Sequence, residues 1–201
     1  MLPGQPSRTL LVPAIARAAH QLFDAPLILD DPLAVGLVPE TSRETLLATA
    51  EEHRTEAARL YRSLFAVRSR FAEDRLADAV NRGVRQYVML GAGIETFPWR
   101  QPDLVKVPRI FFSDHPATLS WAQAVFRERG LAIPANLLFV PCDLEQRQIG
   151  RHAGLAIGLP TFVSILGVLQ YLTAQTIDAL FTFFASLPPG SEAGVFLRYS
   201  R

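Results

Sequence analysis

The stretch GVRQYVMLGAGIETFPWR, residues 83–100, carries the clearest structural signal in the chain. Gln86–Leu90 is a predicted strand, apolar from Tyr87 onward, and it leads directly into Gly91-Ala92-Gly93. Glycines that follow a buried strand let a ligand approach the backbone closely, as happens at the carboxyl edge of an α/β sheet. This stretch therefore predicts the first strand of such a sheet, with a ligand loop at its end.

Four more apolar runs follow, separated by helical patterns. They predict strands at 107–112, 137–140, 161–166 and 193–199. Pro116 opens a helix that Gly130 closes, and Thr173 caps a second helix whose inward residues are predicted to be Ile177, Leu180, Phe181 and Phe184. Alternating strands and helices with continuously apolar strands indicate a doubly wound α/β fold with a parallel sheet covered on both faces.

The first part of the chain is helical in pattern. We predict a helical cap over residues 1–55, with an exposed helix at 40–53 and Asp31 acting as a helix N-cap before Pro32. From Glu56 onward, apolar residues recur four positions apart, which is typical of one helix face. Residues 56–201 are expected to form the α/β core, and 1–201 a single domain.

Composition excludes several classes of protein. The chain has 201 residues, 49% of them hydrophobic, and 20 basic against 19 acidic residues give a net charge of +1. This balance offers no electrostatic footprint for nucleic acid or an anionic membrane. One cysteine and four scattered histidines make a metal site unexpected. We find no signal peptide or membrane span, and we expect a cytoplasmic location.

Three residues at the predicted carboxyl edge suggest a nucleoside ligand. Gly91 and Gly93 end the first strand, and Asp114 ends the second, 21 positions after Gly93. An acid at this place accepts hydrogen bonds from ribose hydroxyls in α/β nucleotide-binding proteins. The alternative is structural, since an Asp just before Pro116 could serve only as a helix cap.

The residues after the glycines distinguish between nucleoside cofactors. A dinucleotide fingerprint requires Gly or Ala at position 96, where this chain has Thr96, and Glu95 would oppose a pyrophosphate. A nicotinamide oxidoreductase is therefore disfavoured. A cationic cofactor that has a ribose but no phosphates suits these residues better, and S-adenosylmethionine is such a molecule.

Arg68 supports the same ligand. Its neighbours three and four positions away are Leu64, Phe65, Phe71 and Ala72, none of which can pair with it, whereas Arg70 has Glu73 and Asp74 in reach. A guanidinium without a local partner can bind a carboxylate from elsewhere, such as the amino-acid tail of the cofactor. A guanidinium that snorkels to solvent from an apolar stem is an equal alternative.

Several stretches together resemble one known family. The chain is similar to bacterial S-adenosylmethionine-dependent methyltransferases related to leucine carboxyl methyltransferase, some of which are described as polyketide O-methyltransferases. The resemblance lies in RAAHQLFDAPLILDDPLA (17–34), VRSRFAED (67–74), the 83–100 stretch, DHPATLSWAQ (114–123), PANLLFVPCDLE (134–145), LGVLQYLT (166–173) and SLPPGSE (186–192).

This resemblance implies a Rossmann-like methyltransferase sheet and a set of cofactor-binding residues. Arg68 would hold the carboxylate of S-adenosylmethionine, Gly91 and Gly93 would lie under its methionine part, and Asp114 would bind the ribose. Asp143 and Leu144 resemble the pair that reads the adenine. Family members usually carry Glu at the positions of Phe112 and Leu166, which leaves Asp114 more isolated in this chain.

The resemblance also implies a longer protein. Related chains usually continue past residue 201 to the last strands of a seven-stranded sheet. We therefore expect a C-terminally truncated member whose apolar edge strand could mediate self-association. Its predicted function is O-methylation of a small molecule or carboxylate, and the alternative is a non-catalytic remnant that binds nucleoside or associates through that edge.

The sequence assigns no catalytic residue. Methyl transfer from a sulfonium requires mainly positioning and desolvation, and a carboxylate acceptor needs no general base. His115 and His20 are expected to be structural, and Cys142 buried filler. Tyr171 could line the acceptor site or belong to the core.

Overall fold

A computed structural model of the chain describes residues 8–100, 109–146, 154–156 and 158–196. Its helices are α1 (Arg8–Phe23), α2 (Ala34–Leu37), α3 (Glu40–Ala48), α4 (Ala50–His53), α5 (Glu56–Asn81), α6 (Phe97–Arg100), α7 (Pro116–Glu128) and α8 (Ala174–Ala185). Its strands are β1 (Gln86–Leu90), β2 (Arg109–Asp114), β3 (Leu137–Pro141), β4 (Thr161–Leu166) and β5 (Glu192–Phe196). Short 3₁₀ turns cover Leu144–Gln146 and Leu169–Tyr171.

The five strands form one parallel sheet in the order β3-β2-β1-β4-β5, which confirms the predicted α/β fold. The chain moves outward from β1 to β3 and then returns to the other side of β1 with β4, so the topological switch point lies between β1 and β4. Such a point is where a doubly wound sheet opens a crevice. The described part of the second strand, Arg109–Asp114, ends two residues beyond the predicted strand at 107–112. Residues 107–108 and 197–199 of two predicted strands lie outside the described residues.

The apolar character of the strands follows from burial on both faces. Every residue of β1 is buried, with Tyr87 and Met89 packed on one face of the sheet and Val88 and Leu90 on the other. Successive side chains of a strand point to opposite faces, so no side chain faces solvent in a strand whose two faces are both covered. Tyr87–Leu90 is thus continuously apolar because α7 and the N-terminal helices cover one face and α8 covers the other. Gln86, the buried polar residue at the start of β1, donates a hydrogen bond to the Ala156 carbonyl.

Local signals position the helices that border the crevice. The Thr55 hydroxyl accepts a hydrogen bond from the Ala58 N–H at the start of α5, and the Thr173 hydroxyl does the same for Thr176 at α8. Pro116 occupies the first turn of α7, as predicted. These caps set where α5, α7 and α8 begin beside the carboxyl ends of the strands.

Three details of the sequence prediction are wrong. The exposed helix at 40–53 is two helices, α3 and α4, that meet at Thr49. Asp31 is no N-cap, because its side chain is fully buried and the cap position of α2 is Leu33. Phe181 is exposed rather than inward. The structure also decides which face of α5 is buried, a point on which the sequence made no prediction. Phe65, Ala66, Ala72 and Leu76 pack inward, and the apolar residues Leu60, Leu64, Val67 and Phe71 are exposed.

The ends of the sheet bear on two further predictions. Among the described strands β5 pairs with β4 alone, so it lies at an edge, and Glu192 at its start forms ion pairs with Arg75 and Arg82. Self-association through this edge stays a prediction. In the described ranges, no helix combines the length and the apolar character that crossing a bilayer requires.

Phe112 tests the packing of the core. Its ring is fully buried between the rings of Phe126 and Phe139. We expect Phe112→Ala to lower the free energy of unfolding by about 3–5 kcal/mol, because it removes a large buried side chain and leaves a cavity. Phe71→Ala, at a position 58% exposed, should change it by less than about 0.5 kcal/mol. Denaturant unfolding of both variants checks this, and equal losses would contradict the assignment of Phe112 to the core.

Candidate functional site

A cavity of about 1240 Å³ opens at the carboxyl ends of the strands. The register aligns Leu90 of β1 with Ser113 of β2 and Ile165 of β4, so the turns that follow these strands meet at one edge. The cavity is lined by residues of these turns and of α1, α5 and β5. Its volume exceeds the roughly 300–1,000 Å³ of an ordinary ligand pocket, so it has room for more than one small molecule.

The glycine loop and Asp114 meet in this cavity. The Gly93 N–H donates to Asp114 Oδ2 at 2.8 Å, and the His115 N–H donates to Asp114 Oδ1 at 2.7 Å. Burial raises the pKa of the Asp114 carboxyl, and these two hydrogen bonds oppose that rise. The carboxylate is thus held in one orientation, and it anchors the loop from which Gly91 and Gly93 line the cavity.

Gly91 is required by close packing at this edge. Its φ is +67°, and a Cβ at this position would collide with the Val168 side chain, which comes from the turn after β4. A larger residue would therefore separate two turns that lie on either side of the switch point.

Arg68 extends from α5 to the same edge. Its guanidinium lies 4.8 Å from the Phe65 ring centroid and 5.8 Å from that of Phe196, and a Cβ at Gly167 would collide with its Nη1. The Arg68 Nε is buried and has no hydrogen-bond partner among the described residues. Burial, with Arg17 nearby, lowers the pKa of Arg68 to about 10, so it stays protonated at neutral pH. Arg68 is thus a half-buried cation whose Nε lacks a hydrogen-bond partner among the described residues, with Glu95 as the nearest carboxylate that acts on its charge.

Asp143 and Leu144 follow β3 on the far side of the cavity. Asp143 Oδ1 accepts a hydrogen bond from the Glu145 N–H at 3.0 Å, and Asp143 Oδ2 lies 4.0 Å from His115 Nε2. Leu144 is buried and also lines the cavity. Glu145, which the sequence analysis did not single out, accepts hydrogen bonds from Thr173 and Thr176 and so joins this turn to the start of α8.

Beneath the glycine loop lies a buried ion network that the sequence analysis did not predict. Arg17 Nη1 donates to Glu95 Oε2 at 2.5 Å, and Arg17 Nη2 donates to the Ile94 carbonyl at 2.8 Å. Arg100 pairs with Glu73 and lies 3.3 Å from Asp31. The five charged residues come from α1, the segment before α2, α5, the glycine loop and α6. The signal in the sequence that could have indicated this network is Arg17, a charged residue inside an apolar run.

Thr96 is the neutral centre of this network. Its hydroxyl donates to Asp31 Oδ2 at 2.8 Å and accepts from Arg100 Nε at 2.8 Å. Position 96, where a dinucleotide fingerprint needs a small residue, is thus occupied by a polar side chain with partners on both sides. Glu95 in turn accepts hydrogen bonds from the N–H groups of Thr96 and Phe97.

The structure also places the other residues considered from the sequence, which are His115, His20, Cys142, Arg70 and Tyr171. His115 caps α7 with its Nδ1, and the His20 ring joins Asp24 to the N–H groups of Ile28 and Leu29. Cys142 is buried, as predicted. Arg70 pairs with Asp74 at the surface. Tyr171 is exposed and lines the cavity. In the part of the chain that the structure covers, no group of three or more metal-ligating side chains occurs.

Comparison with known proteins agrees with this geometry. A family model for leucine carboxyl methyltransferase matches residues 10–185, which include the glycine loop, Arg68, Asp114 and Asp143. The chain belongs to this family. The predicted resemblance is thereby confirmed, and the cofactor on which its named relatives depend is S-adenosyl-L-methionine.

Curated relatives carry the same assignment. YktD of Bacillus subtilis, named as an S-adenosyl-L-methionine-dependent methyltransferase, is 32% identical over 96% of this chain. A protein of Mycobacteroides abscessus with the same description is 31% identical over 92% of this chain. The chain spans 71% of the length of the former and 62% of the latter.

The fold is shared with a solved structure. A DUF574 family protein from Streptomyces avermitilis superimposes with a TM-score of 0.53 and 16% sequence identity, over 88% of this chain and 65% of the other. At this identity the likeness concerns the fold alone.

The ion network predicts a pH dependence of stability. Burial raises the pKa of Glu73 to about 7, although Arg100 opposes the rise. Between the ordinary value of 4.5 and about 7, the folded chain keeps a proton that the unfolded chain loses. The stability that Glu73 contributes therefore falls as pH rises through this window and is constant above it. Between pH 4.5 and about 7, the free energy of unfolding of the wild type should fall by on the order of 3 kcal/mol relative to that of Glu73→Gln.

Denaturant unfolding between pH 4.5 and 7.5 measures this difference. Asp74→Asn is the matched control, because it removes an exposed carboxylate from the adjacent position and leaves the network intact. It should keep the wild-type slope. A Glu73→Gln variant with the same pH slope as the wild type would contradict the predicted proton uptake.

Proposed function

We propose that this chain is an S-adenosylmethionine-dependent methyltransferase that transfers a methyl group to an oxygen of a small molecule. The observation that carries the proposal is Arg68, a half-buried, protonated guanidinium whose buried Nε has no hydrogen-bond partner among the described residues. A buried unsatisfied donor costs about 1–3 kcal/mol, more when it is charged, so its persistence at a cavity wall points to an anionic ligand group.

The residues of the cavity fit the cofactor of the family. Arg68 would bind the carboxylate of the methionine part, and Gly91 and Gly93 would let that part approach the loop. Asp114, whose two oxygens each accept one N–H bond, retains lone pairs for the ribose hydroxyls. Asp143 would accept from the exocyclic amine of the adenine, with Leu144 against the ring. These assignments follow the order of the strands across the sheet.

The chemistry that the cofactor supplies when bound is a sulfonium methyl group open to in-line displacement. The task of the chain is to fix the orientation of the reactants and to exclude water. The Arg68 guanidinium reaches from α5 to Gly167, which follows β4, and Asp114 is the last residue of β2. Together these two side chains would hold the two ends of the methionine–ribose unit. No catalytic base is assigned, and positioning carries the proposed rate enhancement.

Calorimetric titration with S-adenosylmethionine and S-adenosylhomocysteine tests this proposal, with NADH as the control ligand. We expect both sulfur nucleosides to bind and NADH not to bind. Arg68→Gln should weaken binding by about 10- to 100-fold, because it removes a charge-assisted pair. Arg70→Gln is the matched control, since Arg70 is exposed and paired with Asp74, and it should bind as the wild type does. If a folded chain bound neither nucleoside, the result would contradict the proposal and favour a non-catalytic remnant that associates through its edge strand.

Gly167→Ala tests how Arg68 is placed. The φ of Gly167 is +72°, and an added Cβ would displace the Arg68 guanidinium. Gly130 has a similar φ of +69°, with open space where a Cβ would be. Both alanine variants should lose about 1–2 kcal/mol of stability from backbone strain, but only Gly167→Ala should lose cofactor affinity. Equal affinities in the two variants would contradict the proposed role of Arg68.

A cytoplasmic location and the absence of nucleic-acid partners remain proposals. They are supported by the single cysteine and the net charge of +1.

A further inference from the structure

Part of the cavity is left over once the cofactor has been assigned its residues. This remaining part, which we call the apolar lobe, is lined by residues from α1, the first half of α5, the turn after β4 and the end of β5. They are Val12, Tyr61, Leu64, Phe65, Tyr171 and Phe196. The lobe adjoins Arg68, which packs on the rings of Phe65 and Phe196. It therefore borders the methionine end of the proposed cofactor site, where the methyl group would be.

The lobe has an exposed apolar rim. Val12 is 42% exposed, Leu64 46% and Tyr171 62%. Single exposed apolar side chains are common, but three that converge on the mouth of one cavity mark a binding surface for an apolar molecule. Aromatic rings from three segments, at Phe65, Tyr171 and Phe196, offer faces and edges to a flat ligand.

The charges around the lobe select against an anion. Among the described lining residues the basic side chains are Arg17, Arg68 and His115. Arg17 has no hydrogen-bond partner for its Nε among the described residues, but its charge is balanced by Glu95 and by Asp31, whose Oδ2 lies 3.8 Å from that Nε. His115 lies beside Asp143, after β3. Arg68 is required by the cofactor carboxylate. A carboxylate in the lobe would therefore lose hydration without gaining a free cation from the described residues that line the cavity.

We propose that the apolar lobe binds an uncharged aromatic alcohol as the methyl acceptor, an inference that rests on the function proposed above. In the transfer, the acceptor oxygen forms the new O–CH₃ bond as the S–CH₃ bond breaks, and the sulfur keeps the bonding electron pair as a neutral thioether. The hydroxyl proton passes to solvent water at the open mouth. A phenolic hydroxyl has a pKa near 10, so it can ionise there without a dedicated base.

A matched pair of ligands tests the lobe. 1-Naphthol and 1-naphthoate share one ring system, but at pH 7 the first is neutral and the second is an anion. We would titrate each into the chain saturated with S-adenosylhomocysteine and follow binding by calorimetry. We expect naphthol to bind at least about tenfold more tightly than naphthoate. Equal or tighter binding of naphthoate, or no binding of naphthol, would overturn the proposal.

Two variants place the binding in the lobe. Leu64→Glu puts a carboxylate on its wall and should weaken naphthol binding by about tenfold or more. Leu60→Glu is the matched control, one turn earlier on α5, exposed and absent from the cavity lining. It should bind naphthol as the wild type does. Equal losses in both variants would mean that naphthol binds elsewhere, and this too would overturn the proposal.

Methyl transfer separates this inference from the function on which it rests. With radiolabelled S-adenosylmethionine, label should enter 1-naphthol in preference to 1-naphthoate and to a peptide that ends in leucine. Preferential labelling of the naphthoate or the peptide would support the methyltransferase function while refuting the acceptor class. Failure of S-adenosylhomocysteine to bind would refute the function itself, and naphthol binding to the unloaded chain would then report on the lobe alone.

Discussion

The buried ion network beneath the glycine loop is the constraint on which the site depends. Arg17, Glu95, Arg100, Glu73 and Asp31 come from five segments that are distant in sequence, and their pairing brings the N-terminal helices against the edge of the sheet. Removal of one partner of a buried ion pair costs about 3–5 kcal/mol, because the other charge is left without compensation. These ion pairs therefore hold α1, which contributes one wall of the cavity, against the glycine loop.

This network also explains why the glycine loop is suited to a nucleoside without phosphates. Glu95 and Thr96 turn their polar groups toward Arg17, Asp31 and Arg100, so the start of α6 is filled by internal partners. A helix N-terminus that is already satisfied offers little to a pyrophosphate. Asp114 accepts a hydrogen bond from the Gly93 N–H, which holds the glycine loop in place, and it also lines the cavity.

Arg68 illustrates how function and packing compete at one position. A Cβ at residue 167 would displace its guanidinium from this position, so the glycine there and the arginine on α5 fit together. The arginine lies against two aromatic rings, which stabilise its stem and charge but do not satisfy its Nε. The Arg68 Nε at the cavity wall thus has no hydrogen-bond partner among the described residues, and a bound carboxylate would supply one.

Hydrophobic periodicity was sufficient to predict the order of strands and helices, since a strand buried on both faces must be apolar throughout and glycines must end it where the backbone turns. The same reasoning located the glycine loop, Asp114 and Arg68 before any fold was known. It could not tell which apolar face of α5 is buried. Leu60, Leu64, Val67 and Phe71 are exposed, because Phe65, Ala72 and Leu76 pack inward instead.

The sequence by itself thus determined the α/β class, the carboxyl-edge residues and the family resemblance, because these depend on local pattern and on spacing along the chain. Only the tertiary structure decided that Asp31 pairs with Thr96 and Arg100, that Gly167 faces Arg68, and that an apolar lobe borders the site. Such contacts join residues tens of positions apart. They are set by the crossing of helices over the sheet, which the amino-acid pattern of any one segment does not encode.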